Sequence, residues 1–184
     1  FEHASDLIKF IKEFDSKRTD GKKFKILGAC YPETHPQSKD ILSDIQGLKA
    51  KVDAGAEHLL SQLFFDNERF YRFLERTQIA GINVPIEAGI MPATNKKSIE
   101  RMVSMTNAQL PKKFIKMMER YQDSPEAIRD AGIAYAVDQI VDLVTNGVHG
   151  IHLYTMNNSY VAKKINDSVR SLFAEPPIEF TIKP

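Results

Sequence analysis

Apolar positions along this chain alternate between two rhythms, one of helical spacing and one of short continuous runs. Over residues 4–14, Leu7, Ile8, Phe10, Ile11 and Phe14 fall at helical spacing, with Ser5 as the expected N-cap and Asp6 in the first turn. A polar stretch over 15–21 then leads into the apolar run 24–31, a predicted strand in which Gly28 and Ala29 allow close backbone approach. Ile41, Ile45, Leu48 and Val52 share one face of a helix predicted over 38–54, which Gly55 stops. A second strand is expected over 58–65. Phe70, Phe73, Leu74 and Thr77 mark a helix over 67–80, ended by Gly81, and the third strand covers 83–90 with Glu87 its one charged member. Further helices are expected over 97–106, 110–121 and 124–145, the last opening on Ser124-Pro125 with proline at the favoured first position. A fourth strand over 149–154 and a helix over 159–173 follow. Residues 174–184 hold two adjacent prolines and no period, and read as a tail.

Strand followed by helix, repeated, predicts βαβ units and a parallel sheet. Four such repeats make half of a (β/α)₈ barrel, which typically needs roughly 250 residues. The pattern fits either a compact open α/β sheet or a barrel cut in two. The opening helix, with no strand before it, favours the cut, and Phe1 is then expected to be a cut end. The expected organisation is one partial barrel over 1–173 plus the tail over 174–184.

With 184 residues, 42% of them hydrophobic, the chain can bury a substantial core. Its 25 basic and 24 acidic residues leave a net charge of +1, so neither nucleic acid nor an anionic membrane is drawn by bulk charge, and affinity has to come from a site. Cys30 is the single cysteine, lies in an apolar strand and has no partner, which points to a reducing cytoplasm. No apolar run approaches the roughly 20 residues that span a bilayer, and no signal peptide is expected. His149 and His152 lie three apart on a predicted strand and so face opposite ways, and no metal site is expected. Neither a P-loop nor a Gly-x-Gly-x-x-Gly pattern is present.

Tyr31-Pro-Glu-Thr-His35-Pro, Lys51-Val-Asp-Ala-Gly-Ala, Gln62-Leu-Phe-Phe-Asp66, Gly89-Ile-Met-Pro92 and Tyr154-Thr-Met-Asn157 resemble, in that order, the motifs of bacterial methylenetetrahydrofolate reductase. The resemblance runs over most of the chain and corresponds to the C-terminal half of that enzyme's barrel. It implies an FAD flavoprotein of one-carbon metabolism and methionine biosynthesis. Such an enzyme reduces 5,10-methylenetetrahydrofolate to 5-methyltetrahydrofolate, with NADH or NADPH as hydride source. Implied partners are the folate, the nicotinamide dinucleotide, the N-terminal half of the barrel and further copies of the chain. The family's general-acid glutamate and an aspartate beside the flavin belong to earlier strands, so this chain alone is expected to be inactive.

Ligands of α/β folds sit at the carboxyl ends of parallel strands, which selects the residues to weigh. Tyr31 and His35 leave the first strand; alone they read as a proline-fixed turn with an exposed histidine, and the resemblance implies that they face the flavin. Asp44 and Lys51 are seven apart on one helix, a solvated flank unless, as in the family, they reach the ribityl and phosphate portion. Gly47 and Ala50 stand where the family often has Asn and Arg, which implies fewer donors for a diphosphate. His3-Ala4 is similar to a flavin-adjacent Tyr-Ala pair and adds Ala4 to the cofactor set. The amide of Gln62, inside an apolar run, needs partners: either neighbouring backbone or, as the resemblance implies, the pterin. Met102 takes the place of a substrate-stacking aromatic or else packs in the core. Tyr154 and Met156 are implied to wall the folate, with Thr94 and Asn95 lining its site, while Asn158 replaces a frequent arginine. Glu87 is the one candidate general acid, if burial raises its pKa, or else a solvated strand end. Two other readings stay open: a pterin-binding methyltransferase barrel, and a non-catalytic α/β module that docks a partner protein through an exposed seam.

Overall fold

A computed structural model describes residues 1–175. In order, the elements are α1 (Ala4–Ser16), β1 (Leu27–Cys30), α2 (Ile41–Asp53), β2 (His58–Ser61), α3 (Asn67–Ile79), β3 (Ile86–Ile90), α4 (Lys96–Thr106), α5 (Lys112–Tyr121), α6 (Pro125–Thr145), β4 (Gly150–Leu153) and α7 (Ser159–Val169). The four strands form one parallel sheet in the order β1-β2-β3-β4. This is the arrangement of a partial (β/α) barrel. Among the described residues no helix is long and apolar enough to cross a membrane.

Every strand is shorter than the apolar run that predicts it, for local reasons. The Phe24 N–H donates to Asp15 Oδ2 at 2.7 Å, which draws the start of the run over 24–31 away from the sheet, and β1 spans Leu27–Cys30. In the run over 58–65 pairing stops at Ser61, and the remaining residues are buried by packing instead: Phe64 stacks on Phe70 at 4.7 Å and Phe65 meets Phe114 at 4.4 Å. Pro85 has no N–H to give, and β3 begins after it at Ile86. The His149 ring, through Nδ1, accepts the Ile86 N–H at 3.4 Å, and β4 begins one residue later than expected.

The helix ends are corrected likewise. His3, not Ser5, caps α1, and its N–H donates to Asp6 at 2.9 Å. The Asp40 carboxylate accepts the Ser43 N–H at 2.8 Å, so α2 starts at Ile41 and residues 38–40 stay in the loop. The final helix stops at Val169 and tightens into a 3₁₀ turn over Arg170–Ala174. The expected tail over 174–184 therefore begins inside that turn, and from residue 176 on it lies outside the described residues.

Side chains alternate across the sheet, and its two faces differ. Cys30, Leu59, Ile86, Ala88 and Ile90 point to the helices, where they join Leu48, Phe70, Ile140 and Ile165 in the main core. The other face carries Leu27, Ala29, Leu60, Glu87, Gly89 and His152, in register across the strands. Among the described residues no helix covers it, and Leu27 there is 59% exposed. A second core of Leu63, Phe65, Met91, Ile99, Phe114 and Met118 forms where α4 and α5 pack beneath the carboxyl ends of the strands.

Among the described residues both outer strands keep an open edge. The carbonyls of Ile26 and Cys30 accept from Glu57 and Gln62 of the β2 segment, at 3.0 and 2.7 Å, so the Ala29 carbonyl points the other way. Lys51 Nζ donates to it at 3.0 Å. Among the described residues no strand pairs with the outer edge of β1 or of β4.

Cys30 is 1% exposed, and burial pushes its thiol up to about 12. The thiolate is the reactive form, so Cys30 is expected to ignore a disulfide reagent at neutral pH in the folded chain and to react fully in denaturant. Spectrophotometric thiol counting with and without guanidinium checks this; fast labelling of the folded chain would contradict it.

Candidate functional site

At the carboxyl ends of the strands, Tyr31, Gln62 and Tyr154 line one concavity of about 240 Å³ together with Leu27, Ala29 and Leu60. Its shape depends on Ser61 and Gly89. The Gly89 N–H donates to the Ser61 hydroxyl at 2.8 Å, and the Ser61 carbonyl accepts the Tyr154 hydroxyl at 3.0 Å. A Cβ on Gly89 would lie 2.3 Å from the Ser61 oxygen and 2.7 Å from the Tyr154 ring. Glycine therefore lets the side chain of Tyr154, just past β4, cross β3 and anchor on β2. Gln62 Oε1 accepts the Leu63 N–H at 2.9 Å, which fixes the amide orientation, and its NH₂ makes no hydrogen bond among the described residues. The oxygen is thus satisfied by backbone, while the donors have no partner among the described residues.

A second concavity of about 470 Å³ lies along α2 and is lined by Ala4, His35, Asp44 and Lys51, with Gly47 and Ala50 adding no side-chain donor. Asp44 fixes the β1–α2 loop: Oδ2 accepts the His35 N–H at 2.9 Å and Oδ1 the Ser38 hydroxyl at 3.1 Å. His35 Nδ1 accepts the Gln37 N–H at 3.1 Å, which places the proton of the neutral ring on Nε2. The ring meets Tyr31 edge-on, with centroids 4.4 Å apart. Burial, helped by Asp44, pushes the Tyr31 hydroxyl above the usual phenol range. Thr34 adopts φ 75°, a left-handed conformation that this network holds in place.

Tyr154 also borders a smaller hollow with Met91, Pro92, Thr94, Thr155 and Met156. Asn95 and Asn158 spend their side chains as N-caps of α4 and α7, accepting from Ser98 and Val161, each at 3.2 Å. Met102 borders none of these hollows; it packs, half-buried, against the second core. Glu87 sits near the start of β3, one inward-facing layer below Gly89, away from the mouth. Its Oε1 is 3.1 Å from His58 Nε2, without hydrogen-bond alignment. Among the described residues no group of three or more His, Cys, Asp or Glu could hold a metal ion.

The family model described as methylenetetrahydrofolate reductase matches residues 1–170. The chain is 37% identical over 163 residues to the 5,10-methylenetetrahydrofolate reductase of Escherichia coli (strain K12), covering 89% of this chain and 53% of that protein. It is 35% identical over 163 residues to the protein of that name from Pectobacterium carotovorum, covering 89% and 52%. Methylenetetrahydrofolate reductase 2 of Saccharomyces cerevisiae is 37% identical over 160 residues, 85% of this chain and 26% of that one. The chain thus spans about half the length of the bacterial relatives it matches. In fold it resembles an uncharacterised protein from Clostridium thermocellum that binds two copies of 5-methyl-5,6,7,8-tetrahydrofolic acid, with TM-score 0.62, 15% identity and coverage of 94% and 60%. Sequence match and parallel half-sheet together show that this chain belongs to the methylenetetrahydrofolate reductase family.

Proposed function

We propose that this chain is the C-terminal half-barrel of a flavin-dependent reductase that converts 5,10-methylenetetrahydrofolate to 5-methyltetrahydrofolate with NADH or NADPH. The convergence of Tyr31, Gln62 and Tyr154 from three strands on one concavity, beside a second lined by Ala4, His35, Asp44 and Lys51, carries this reading. Relatives named as that reductase support it, as does a neighbour of the same fold that binds the product folate.

The larger concavity, at about 470 Å³, is within the roughly 300–1,000 Å³ usual for small-molecule sites. Lys51 supplies a point charge for a phosphate there, and Gly47 and Ala50 add no side-chain donor beside it. A flavin bound there would accept a hydride from the nicotinamide and give it to the folate; that chemistry is the cofactor's. The chain's own residues orient. Asp44 holds the loop that presents His35 and Tyr31, and the free Gln62 NH₂ donates to an acceptor on the pterin edge. The Tyr154 ring, pinned to Ser61, offers a flat wall. Glu87 is too deep to protonate a ligand at the mouth, so the acid, with the first strands, belongs to the other half of the barrel, and this chain alone does not turn over. A cytoplasmic location fits an unpaired Cys30.

The test is flavin titration followed by absorbance and fluorescence, on this chain and on this chain joined to an N-terminal half-barrel. In the joined protein, Lys51→Met is expected to weaken flavin roughly ten-fold, about 1.4 kcal/mol. Gln62→Leu is expected to weaken 5-methyltetrahydrofolate by a similar factor and leave flavin affinity unchanged. A joined protein that binds folate and no flavin would favour the methyltransferase reading, and full turnover by the 184-residue chain alone would overturn the half-barrel assignment.

A further inference from the structure

On the outer side of the β1–α2 loop, away from both concavities, a cleft of about 230 Å³ is lined by Pro32, Glu33, Thr34, Arg69, Arg72 and Arg76. The three arginines occupy positions i, i+3 and i+7 of α3 and so share one face. Their charges are used unequally. Arg69 Nε is 3.7 Å from Glu33 Oε2 and 3.7 Å from Asp66 Oδ2, and its guanidinium donates to Gln109 Oε1. Arg72 and Arg76 pair with no acidic group among the described residues.

Glu33 is the second anomaly. Its side chain is only 6% exposed, Oε2 accepts the Gln109 N–H at 2.9 Å, and Oε1 is buried with no partner. A buried carboxylate oxygen without a donor is costly, and burial pushes this carboxyl above its ordinary range. Natural structures rarely leave such an atom unmatched without a ligand, ion or water to match it.

We propose that this cleft is a binding site for a free α-amino acid, its carboxylate held by Arg72 and Arg76 and its ammonium by Glu33 Oε1. One ligand class then accounts for both anomalies. A planar guanidinium pairs bidentately with a carboxylate, and two on one helix face exceed what a lone surface arginine offers. An ammonium is the donor that a buried, unpaired carboxylate oxygen selects, and a plain oxyanion would be repelled by it. Entry requires the Arg69 side chain, which is flexible and about a third exposed, to move off Glu33; its guanidinium then joins the carboxylate end. The volume suits a molecule smaller than a cofactor. The site has a route to the chemistry, because residues 31–35 carry Glu33 and Thr34 on one side and the Tyr31 and His35 rings on the other. This inference rests on geometry alone and is independent of the flavin and folate reading.

The experiment screens the twenty L-amino acids singly against the 184-residue chain by thermal shift. NMR then follows the side-chain Nε–Hε signals of Arg72 and Arg76. The expected result is that one amino acid or a related group raises the melting temperature and moves both signals, while its N-acetyl and carboxamide derivatives do neither. The Arg72→Gln/Arg76→Gln double variant, altered only at exposed positions, is expected to lose roughly ten- to hundred-fold in affinity. Glu33→Gln is expected to erase the preference over the N-acetyl derivative. Silence from all twenty would overturn the proposal, as would equal responses to acetate or inorganic phosphate, which would reveal a plain anion site. Flavin titration run alongside keeps the two readings separable, since neither outcome here alters the other.

Discussion

Replacing Gly132 by alanine is expected to destabilise the chain more than any other single-methyl addition described here. An added Cβ would lie 1.8 Å from the Ala93 carbonyl oxygen, 2.6 Å from its carbon and 3.0 Å from its nitrogen. All three are backbone atoms, so no rotamer change relieves the contact. Either α6 retreats from the sheet, opening the core around Ala136 and Ile140, or the β3–α4 connection is pushed away. Overpacking commonly costs about 1–3 kcal/mol, and a collision with rigid main chain belongs at or above the top of that range. Alanine's better helix propensity recovers only about 1 kcal/mol. The denaturant midpoint by circular dichroism should therefore fall sharply or the chain should not accumulate folded. An unchanged or higher midpoint would show that α6 is not seated on Ala93. Met91, Pro92 and Thr94 share the displaced connection, so a folded remnant should also lose the hollow beside Met156.

Gly89→Ala should act at the mouth itself. The methyl meets the Ser61 carbonyl oxygen at 2.3 Å and the Tyr154 ring at 2.7 Å, and the ring is the part able to swing. Once it swings, the Tyr154 hydroxyl leaves the Ser61 carbonyl, and the concavity it shares with Tyr31 and Gln62 loses one wall. A cost of about 2 kcal/mol in stability is expected from the crowding. On the functional reading proposed here, folate affinity in the joined protein should fall by more than ten-fold, about 1.4 kcal/mol or greater. Calorimetric titration with 5-methyltetrahydrofolate reads the second effect and thermal melting the first. Wild-type affinity in a folded Gly89→Ala protein would remove Tyr154 from the site.

These two glycines also mark where the sequence was legible and where it was not. Parallel sense and helix alternation follow from periodicity and from the Gly55 and Gly81 stops, both of which take positive φ. Strand ends single out Tyr31 and Gln62, whereas spacing alone leaves Asp44 and Lys51 a solvated flank and only the family resemblance selects them; the first pair lines one concavity and the second pair the other. Strand length was not legible, since an apolar run such as 62–65 can be buried by ring packing as well as by pairing. Ser61 gave no signal. Its hydroxyl takes the place of a ladder acceptor, which no composition rule anticipates. Gly132 did leave a trace: glycine in mid-helix carries a propensity cost, and close packing is the usual reason for it. Met102 and Glu87 show the opposite limit. Each has a residue type suited to chemistry, and only the register of β3 and the packing of α4 place one low in the sheet and the other in a core.

The Lys51–Ala29 contact has a bearing on assembly. A strand arriving at the vacant flank of β1 would bring its own amide hydrogen to the Ala29 oxygen and evict the ammonium from it. The displaced cation can then turn into the neighbouring hollow along α2, which Lys51 already lines. On the functional reading proposed above, pairing of a strand with β1 would release Lys51 toward a phosphate, so affinity for a phosphorylated ligand is expected to rise as that strand docks.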